Sequence, residues 1–193
     1  MTTTVPGPEL VYQPDPHLWI VGPTEERPAE EWVPGATQAI VQDFGIVDDE
    51  TRQYVERVLA TFAAATPTEL TERLLRWRNI ADDPFVLYLG MVDRAEWTAD
   101  DLTAYLHSDR EGLVEPAVVT DVTAPDGVTV RRSIGYSSHP EGVVAGVRYV
   151  IDSGSPHVVA LMHTATRVPG LLIEALPDLD DLARTVRAAD TSR

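Results

Sequence analysis

The chain has 193 residues, 44% of them hydrophobic, and a formal net charge of −16 at pH 7. It contains no cysteine, and all 15 of its Lys or Arg residues are arginine. The lack of lysine excludes Schiff-base chemistry and phosphate-loop lysines, and the lack of cysteine excludes thiolate nucleophiles, disulfides and Cys-ligated metals.

The negative charge limits the classes of partner that the chain can bind. A field of this sign repels nucleic acid and anionic lipid, and no apolar run is long enough to span a membrane. The first residues lack the basic and apolar regions of a secretion signal, so we expect a cytoplasmic protein. The sequence therefore predicts a partner protein with a basic surface, although solubility alone also explains an acidic surface.

The first 33 residues are rich in proline and predict an irregular arm before a single domain at 34–193. Two tryptophans in the arm, Trp19 and Trp32, are candidates for anchoring it on the domain, on a partner protein or on another copy of the chain. Four glutamates of the arm complete the predicted partner-binding set: Glu25, Glu26, Glu30 and Glu31.

Two helices are predicted next. Apolar residues at helical spacing follow Pro34 and Gly35, and a clearer pattern runs from Tyr54 to Phe62 and ends at Thr66-Pro67. The period then changes to two, which predicts a strand pair at 70–79 and 84–92.

The second half of the sequence predicts a short helix, four strands and closing helices. Thr98 and Asp101 form a capping-box pattern, so a short helix begins there. Four strand-like segments follow, at 114–124, 127–138, 142–152 and 156–164. Their connections are too short for parallel crossovers, which predicts an antiparallel meander. Helical spacing returns after Pro169 and again beyond Pro177, with Arg184 and Arg187 near the end of the last helix.

These elements define an α+β fold, in which a mainly antiparallel sheet carries N-terminal and C-terminal helices. The segments 127–132, 146–151, 158–162 and 179–186 resemble those of an uncharacterised actinobacterial family of about this size. The arrangement also resembles the PsbP-like α/β/α sandwich. That resemblance implies mostly non-catalytic roles, as extrinsic subunits, lipoproteins and partner-binding adaptors.

Arg132 and Arg148 fall on apolar faces of predicted strands, where each guanidinium needs an anion. The anion is either an internal carboxylate or a bound ligand. The second alternative predicts a pocket between sheet and helices, lined by Trp77, Tyr88, Arg132, Tyr136 and Arg148. His157 and His163 lie on one predicted strand roughly 20 Å apart, which is too far for them to share a metal ion, so no metal site is predicted. No catalytic set and no cofactor are predicted either.

Three functions follow from the sequence. The first is a non-enzymatic binding or adaptor protein that engages a partner protein through its acidic surface. The second is a small-molecule binder, for an anionic ligand, or a hydrolase that uses the predicted pocket. The third is a structural subunit of an oligomeric assembly, with Trp19 and Trp32 at its interfaces.

Overall fold

The computed structural model of the protein describes residues 8–65, 72–107, 112–125 and 127–190. In this part of the chain the protein is α+β, with four helices and a seven-stranded antiparallel sheet. The elements are, in chain order, β1 (Pro8–Val11), β2 (Trp19–Val21), α1 (Ala29–Asp43), α2 (Asp49–Ala64), β3 (Glu72–Arg76), β4 (Phe85–Asp93), α3 (Ala99–His107), β5 (Val118–Val122), β6 (Thr129–His139), β7 (Gly142–Asp152), β8 (Val158–Thr166), α4 (Pro169–Thr185) and β9 (Arg187–Asp190).

The seven strands follow the order β2-β3-β4-β8-β7-β6-β5, and β1 pairs with β9 in a separate two-stranded sheet. The chain divides into two compact units. The N-terminal unit is Pro16–Tyr88, and the C-terminal unit is Met1–Asp15 together with Leu89–Arg193. Strand β4 passes from one unit into the other.

In the N-terminal unit, α1 and α2 pack on the strand pair β2–β3. Trp19 and Val21 pair with Arg76 and Leu74 in antiparallel register. The side chains that bury the helices against β3 form one apolar cluster, consisting of Trp32, Ile40, Val55, Leu59, Phe62, Leu75 and Trp77. Leu75 of β3 and Trp77, the first residue after that strand, lie two residues apart and both pack against the helices.

The two ends of α2 are held by side chains. At its start, Asp48 accepts a hydrogen bond from the backbone N–H of Thr51 at 2.7 Å, and this bond lowers the pKa of Asp48 below its usual value. At its end, the buried Arg73 donates to the carbonyls of Phe62, Ala63 and Ala65. A cation at a helix C-terminus satisfies the last carbonyls and matches the helix dipole.

The predicted boundary between residues 33 and 34 was wrong, because it falls inside α1. The helix begins at Ala29, with Pro28 in extended conformation before it. Pro34 was expected to precede the helix, but it lies in the second turn and there removes only the hydrogen bond to the carbonyl of Glu30. Residues 19–21 are also ordered as β2, so much of the predicted irregular arm is regular structure.

In the C-terminal unit, the strands after α3 form three consecutive antiparallel pairs as predicted, β5–β6, β6–β7 and β7–β8. Their bounds differ from the prediction, most of all for β5, which covers only Val118–Val122. The capping box that begins α3 is also confirmed. The N–H of Asp101 donates to the Thr98 hydroxyl at 3.3 Å, and the N–H of Thr98 donates to the Asp101 carboxylate at 2.8 Å. The Thr98 hydroxyl also donates to the Asp101 carboxylate at 2.6 Å, and this bond, together with the one from the Thr98 N–H, lowers the pKa of Asp101.

Two details of the C-terminal end differ from prediction. Helix α4 is continuous from Pro169 to Thr185 and includes Pro177. Arg187, expected in the last turn of this helix, begins β9 instead and pairs with Val11 of β1. The β1–β9 pair joins segments at opposite ends of the chain, and no local sequence pattern reports such a pair.

Helices α3 and α4 cover opposite faces of the β6–β7 ladder. Tyr149 lies opposite Arg132, and its neighbour Arg148 points to the other face. On one face, Arg132 forms an ion pair of 2.6 Å with Asp180 of α4, and the fully buried Tyr149 donates to the same carboxylate at 2.8 Å. On the other face, Arg148 donates to the carbonyl of Tyr105 in α3 at 2.6 Å.

We expect Asp180→Ala to lower the free energy of unfolding by roughly 2–4 kcal/mol, because it removes the carboxylate partner of the partly buried Arg132 and leaves the buried Tyr149 hydroxyl without its acceptor. The matched control is Asp181→Ala, one residue further on, whose pairing with Arg184 is exposed and should contribute less than about 1 kcal/mol. Urea denaturation measures both. Equal losses for the two variants would contradict a structural role for the Asp180 pair.

Alkaline pH should destabilise the protein through Tyr149. Burial, with the nearby charge of Asp180, raises the pKa of Tyr149 well above its ordinary value of 10.0. Above pH 10 the unfolded chain therefore releases a proton that the folded protein keeps, so the free energy of unfolding falls as the pH rises. In Tyr149→Phe, the number of protons released on unfolding above pH 10 should be smaller by about one. Urea denaturation between pH 9 and 11 measures this number from the slope of the free energy of unfolding against pH. If the free energies of unfolding of wild type and variant fell in parallel as the pH rises, Tyr149 would not be the cause of the alkaline destabilisation.

Candidate functional site

An ordered acidic turn precedes α1 in the N-terminal unit. Thr24 and Arg27 exchange backbone hydrogen bonds of 3.1 and 3.2 Å, and the Thr24 hydroxyl accepts a further bond from the N–H of Arg27. Glu25 and Glu26 lie at the tip of this turn and are exposed. Their carboxylates are therefore presented by a hydrogen-bonded loop of fixed shape.

Two more carboxylates follow in the first turn of α1. Glu30 and Glu31 are exposed there, where the partial positive charge of the helix N-terminus stabilises them. None of the four glutamates forms an ion pair with another described residue. They remain available to a cation from outside the chain.

A cleft of about 550 Å³ lies beside this turn, and we call it the acidic groove. Its lining consists of Pro23, Thr24, Glu25, Pro28, Ala29, Ala63, Glu72 and Arg73. The guanidinium of Arg73 is occupied by the carbonyls at the end of α2, so this arginine is committed within the fold. Proline and alanine carbon atoms therefore meet two carboxylates, those of Glu25 and Glu72, in one groove.

This combination suits a long basic side chain. Arginine and lysine bury their aliphatic stems against apolar surface and keep the charged end near polar groups. The groove offers both kinds of surface, and the exposed glutamates of the turn extend the negative field beyond it.

The two tryptophans predicted as external anchors lie inside the N-terminal unit. Trp32 is 4% exposed, donates its indole N–H to the carbonyl of Val21 at 3.0 Å and packs on Phe62. Trp19 is also 4% exposed and lies edge-on to Phe85. The prediction that they bind a partner or another subunit was wrong, because their surface is already used to attach β2 and α1 to the core.

A second cleft of the N-terminal unit, of about 530 Å³, is mainly apolar, and we call it the Trp77 cleft. Residues 16–20 form one side of the cleft. Ala36 and Ala39 of α1 lie on another side, together with Phe44, which follows the last residue of the helix. Trp77 also lines it, whereas no arginine does. Of the predicted ligand-binding residues, Trp77 therefore lines a cleft, but this cleft contains no arginine that could bind an anion.

Trp77 carries an unmet polar group. It is 2% exposed, and its indole Nε1 has no hydrogen-bond partner in the described structure. Phe44 and Tyr54 lie edge-on to the ring, both with centroids at 6.1 Å. A buried donor without an acceptor costs about 1–3 kcal/mol of stability, and here that donor belongs to a side chain that lines a cleft.

The other predicted ligand-binding residues are Tyr88, Arg132, Tyr136 and Arg148, and the two arginines among them do not line one pocket. Tyr88 belongs to the N-terminal unit, and Arg132, Tyr136 and Arg148 belong to the C-terminal unit. Arg132 and Arg148 point to opposite faces of the sheet, as the register above requires. For Arg132 the internal carboxylate proved to be the anion, namely Asp180. Arg148 instead contacts the Tyr105 carbonyl and lies over the Tyr105 ring at 5.1 Å.

A cleft of about 380 Å³ in the C-terminal unit contains two other arginines. Arg94 pairs with Asp152 at 2.6 Å and donates to the carbonyl of Ser155 at 2.9 Å. Arg131 also lines this cleft, beside the start of α3. Sequence reasoning did not single out either, since arginines on a half-polar strand face are ordinary surface residues.

Among the described residues, no three or more His, Asp and Glu side chains lie together in a way that could hold a metal ion. In the same part of the chain, no helix has both the length and the apolar character that a membrane crossing requires.

Sequence reasoning found the four glutamates and Trp77, but missed Glu72 and the apolar floor of the acidic groove. These residues come together only through the packing of the turn, α2 and β3 in the N-terminal unit, which local patterns do not report. The cluster Pro23, Glu25, Glu26 and Pro28 was the available signal. Prolines around a charged tip are typical of a rigid exposed turn.

The structure thus shows an α+β protein with two clefts in its N-terminal unit that combine charged and apolar lining residues. No protein-family model matches the chain, and no curated protein is similar to it in sequence. Among solved structures it is similar to the crystal structure of LpqN, described as involved in cell envelope biogenesis of Mycobacterium tuberculosis. The TM-score is 0.53 with 9% sequence identity, over 97% of this chain and 87% of that chain. At this identity the similarity concerns the fold alone.

Proposed function

We propose that the protein is a non-enzymatic binding or adaptor protein whose acidic groove and turn engage a basic segment of a partner protein. The observation that carries the proposal is the groove itself, in which an apolar floor meets Glu25 beside three further exposed glutamates. Complementary charge of this kind raises association rates and selects partners by sign.

The fold similarity is consistent with a binding role. LpqN, the solved structure with a similar fold, is described by its part in cell envelope biogenesis. Cell envelope biogenesis is therefore a process in which to look for this partner. The cytoplasmic location and the PsbP-like relationship expected from the sequence remain proposals, as does assembly into homo-oligomers.

The test is charge neutralisation with a matched control. Changing Glu25, Glu26, Glu30 and Glu31 to Gln removes four charges at the groove. The control changes four exposed glutamates elsewhere to Gln, namely Glu56, Glu96, Glu115 and Glu174, and alters the net charge equally. The probe is a fluorescent peptide of repeated Arg-Ala-Ala units, titrated by anisotropy.

We expect the groove variant to bind the peptide roughly tenfold more weakly than wild type, because each exposed ion pair contributes about 0.2–1 kcal/mol. The control variant should lose less than about twofold, and wild-type binding should weaken as the salt concentration rises. Equal losses of affinity in both variants would mean that peptide binding depends only on the net charge, and the proposal would fail. If the groove is confirmed, capture with wild type and groove variant then identifies the partner.

A further inference from the structure

The Trp77 cleft is a second candidate site, separate from the acidic groove, within the N-terminal unit. We propose that it binds an uncharged apolar molecule carrying one hydrogen-bond acceptor, such as a ketone, and that the acceptor meets the indole N–H of Trp77. Two observations carry this inference: an open apolar cleft of about 530 Å³, and a buried donor on one of the side chains that line it.

The size and lining of the cleft fit a small organic ligand. Ligand pockets typically measure about 300–1,000 Å³ and are lined mainly by hydrophobic and aromatic side chains, with few polar groups to fix orientation. Here Trp19, Phe44 and Trp77 supply aromatic surface. Ala36 and Ala39 of α1 leave room beside them because their side chains are short.

The indole N–H supplies the orienting group. The Thr37 hydroxyl of this unit is also buried without a described partner, whereas the Trp32 indole N–H finds an acceptor at the carbonyl of Val21. The Trp77 N–H does not, and the two aromatic rings beside it are far weaker acceptors than a carbonyl oxygen. A ligand with a carbonyl or hydroxyl oxygen would therefore gain a hydrogen bond that the free protein lacks.

The charges around the cleft argue against an anion. Asp43 lines it, is exposed and pairs with no described residue, and no arginine is among the lining residues. His17 also lines the cleft, but it already has an interaction partner within the protein. The net charge of −16 acts in the same direction. The earlier expectation of an anionic ligand beside Trp77 is therefore replaced by an uncharged one.

The buried position of Nε1 also predicts how the ligand enters. Because the atom is closed to water, a wall side chain must move before an acceptor reaches it. Phe44 is the candidate, since it is half-buried, follows the last residue of α1 and lies edge-on to the indole. Gly45 after it has a φ of 63°, so a turn already ends the helix at this point.

Three naphthalene probes of similar size test the inference: methyl 2-naphthyl ketone, 2-ethylnaphthalene and 2-naphthoate. We expect the ketone to bind the full chain roughly tenfold more tightly than the hydrocarbon, because the hydrocarbon offers the N–H no acceptor. The carboxylate of 2-naphthoate can also accept this bond, but its negative charge should make 2-naphthoate bind most weakly. The indole N–H signals of the four tryptophans give a direct readout by NMR. The ketone should shift the Trp77 signal, assigned by its loss in Trp77→Phe, more than the hydrocarbon does.

A blocking variant keeps the test decisive if Trp77→Phe is unstable. Ala39→Phe places a ring in the cleft from an exposed helix position, and Gln38→Phe adds the same ring on the neighbouring position outside the cleft lining. Binding of the ketone should fall at least tenfold in the first variant and stay unchanged in the second. Equal affinity for ketone and hydrocarbon, or full binding in Ala39→Phe, overturns the inference. Neither result bears on the acidic groove, which is tested with the peptide.

Discussion

The hydrogen bond from the Trp32 indole to the carbonyl of Val21 is the contact on which both candidate sites depend. It joins α1 to β2, and the Trp32 ring packs on Phe62 of α2 behind it. The first turn of α1 carries two glutamates beside the acidic groove, and its last turns form a side of the Trp77 cleft. A single anchored helix therefore sets the geometry at both of its ends.

The same anchoring explains why the two sites differ in chemistry. The N-terminus of α1 has a partial positive charge that stabilises Glu30 and Glu31 on the surface. Toward its C-terminus the helix presents alanines to the strand pair, and the apolar cleft forms where small side chains leave space. Charge recognition at one end and apolar binding at the other thus follow from the order of residues along one helix.

The meander and the α3 capping box were predictable from sequence because short loops, alternating strands and the Thr98–Asp101 spacing are all local signals. The start of α1 was not, since Pro34 indicates a helix boundary locally and only the packing of Trp32 favours an earlier one. Only part of the two candidate sites could be predicted from the sequence. Composition gave the glutamates of the turn, whereas Glu72 and the free Trp77 N–H depend on which side chains meet in three dimensions.

Strand β1 pairs with β9, and the N–H of Gln13 donates to the Thr185 hydroxyl 172 residues away. The whole N-terminal unit lies between these partners in sequence and makes its own contacts locally. During synthesis on the ribosome, β1 must therefore wait for the final strand before it finds its neighbour, whereas the local contacts of the N-terminal unit can begin to form as that unit emerges. The connectivity thus makes the β1–β9 pair the last part of the C-terminal unit to close.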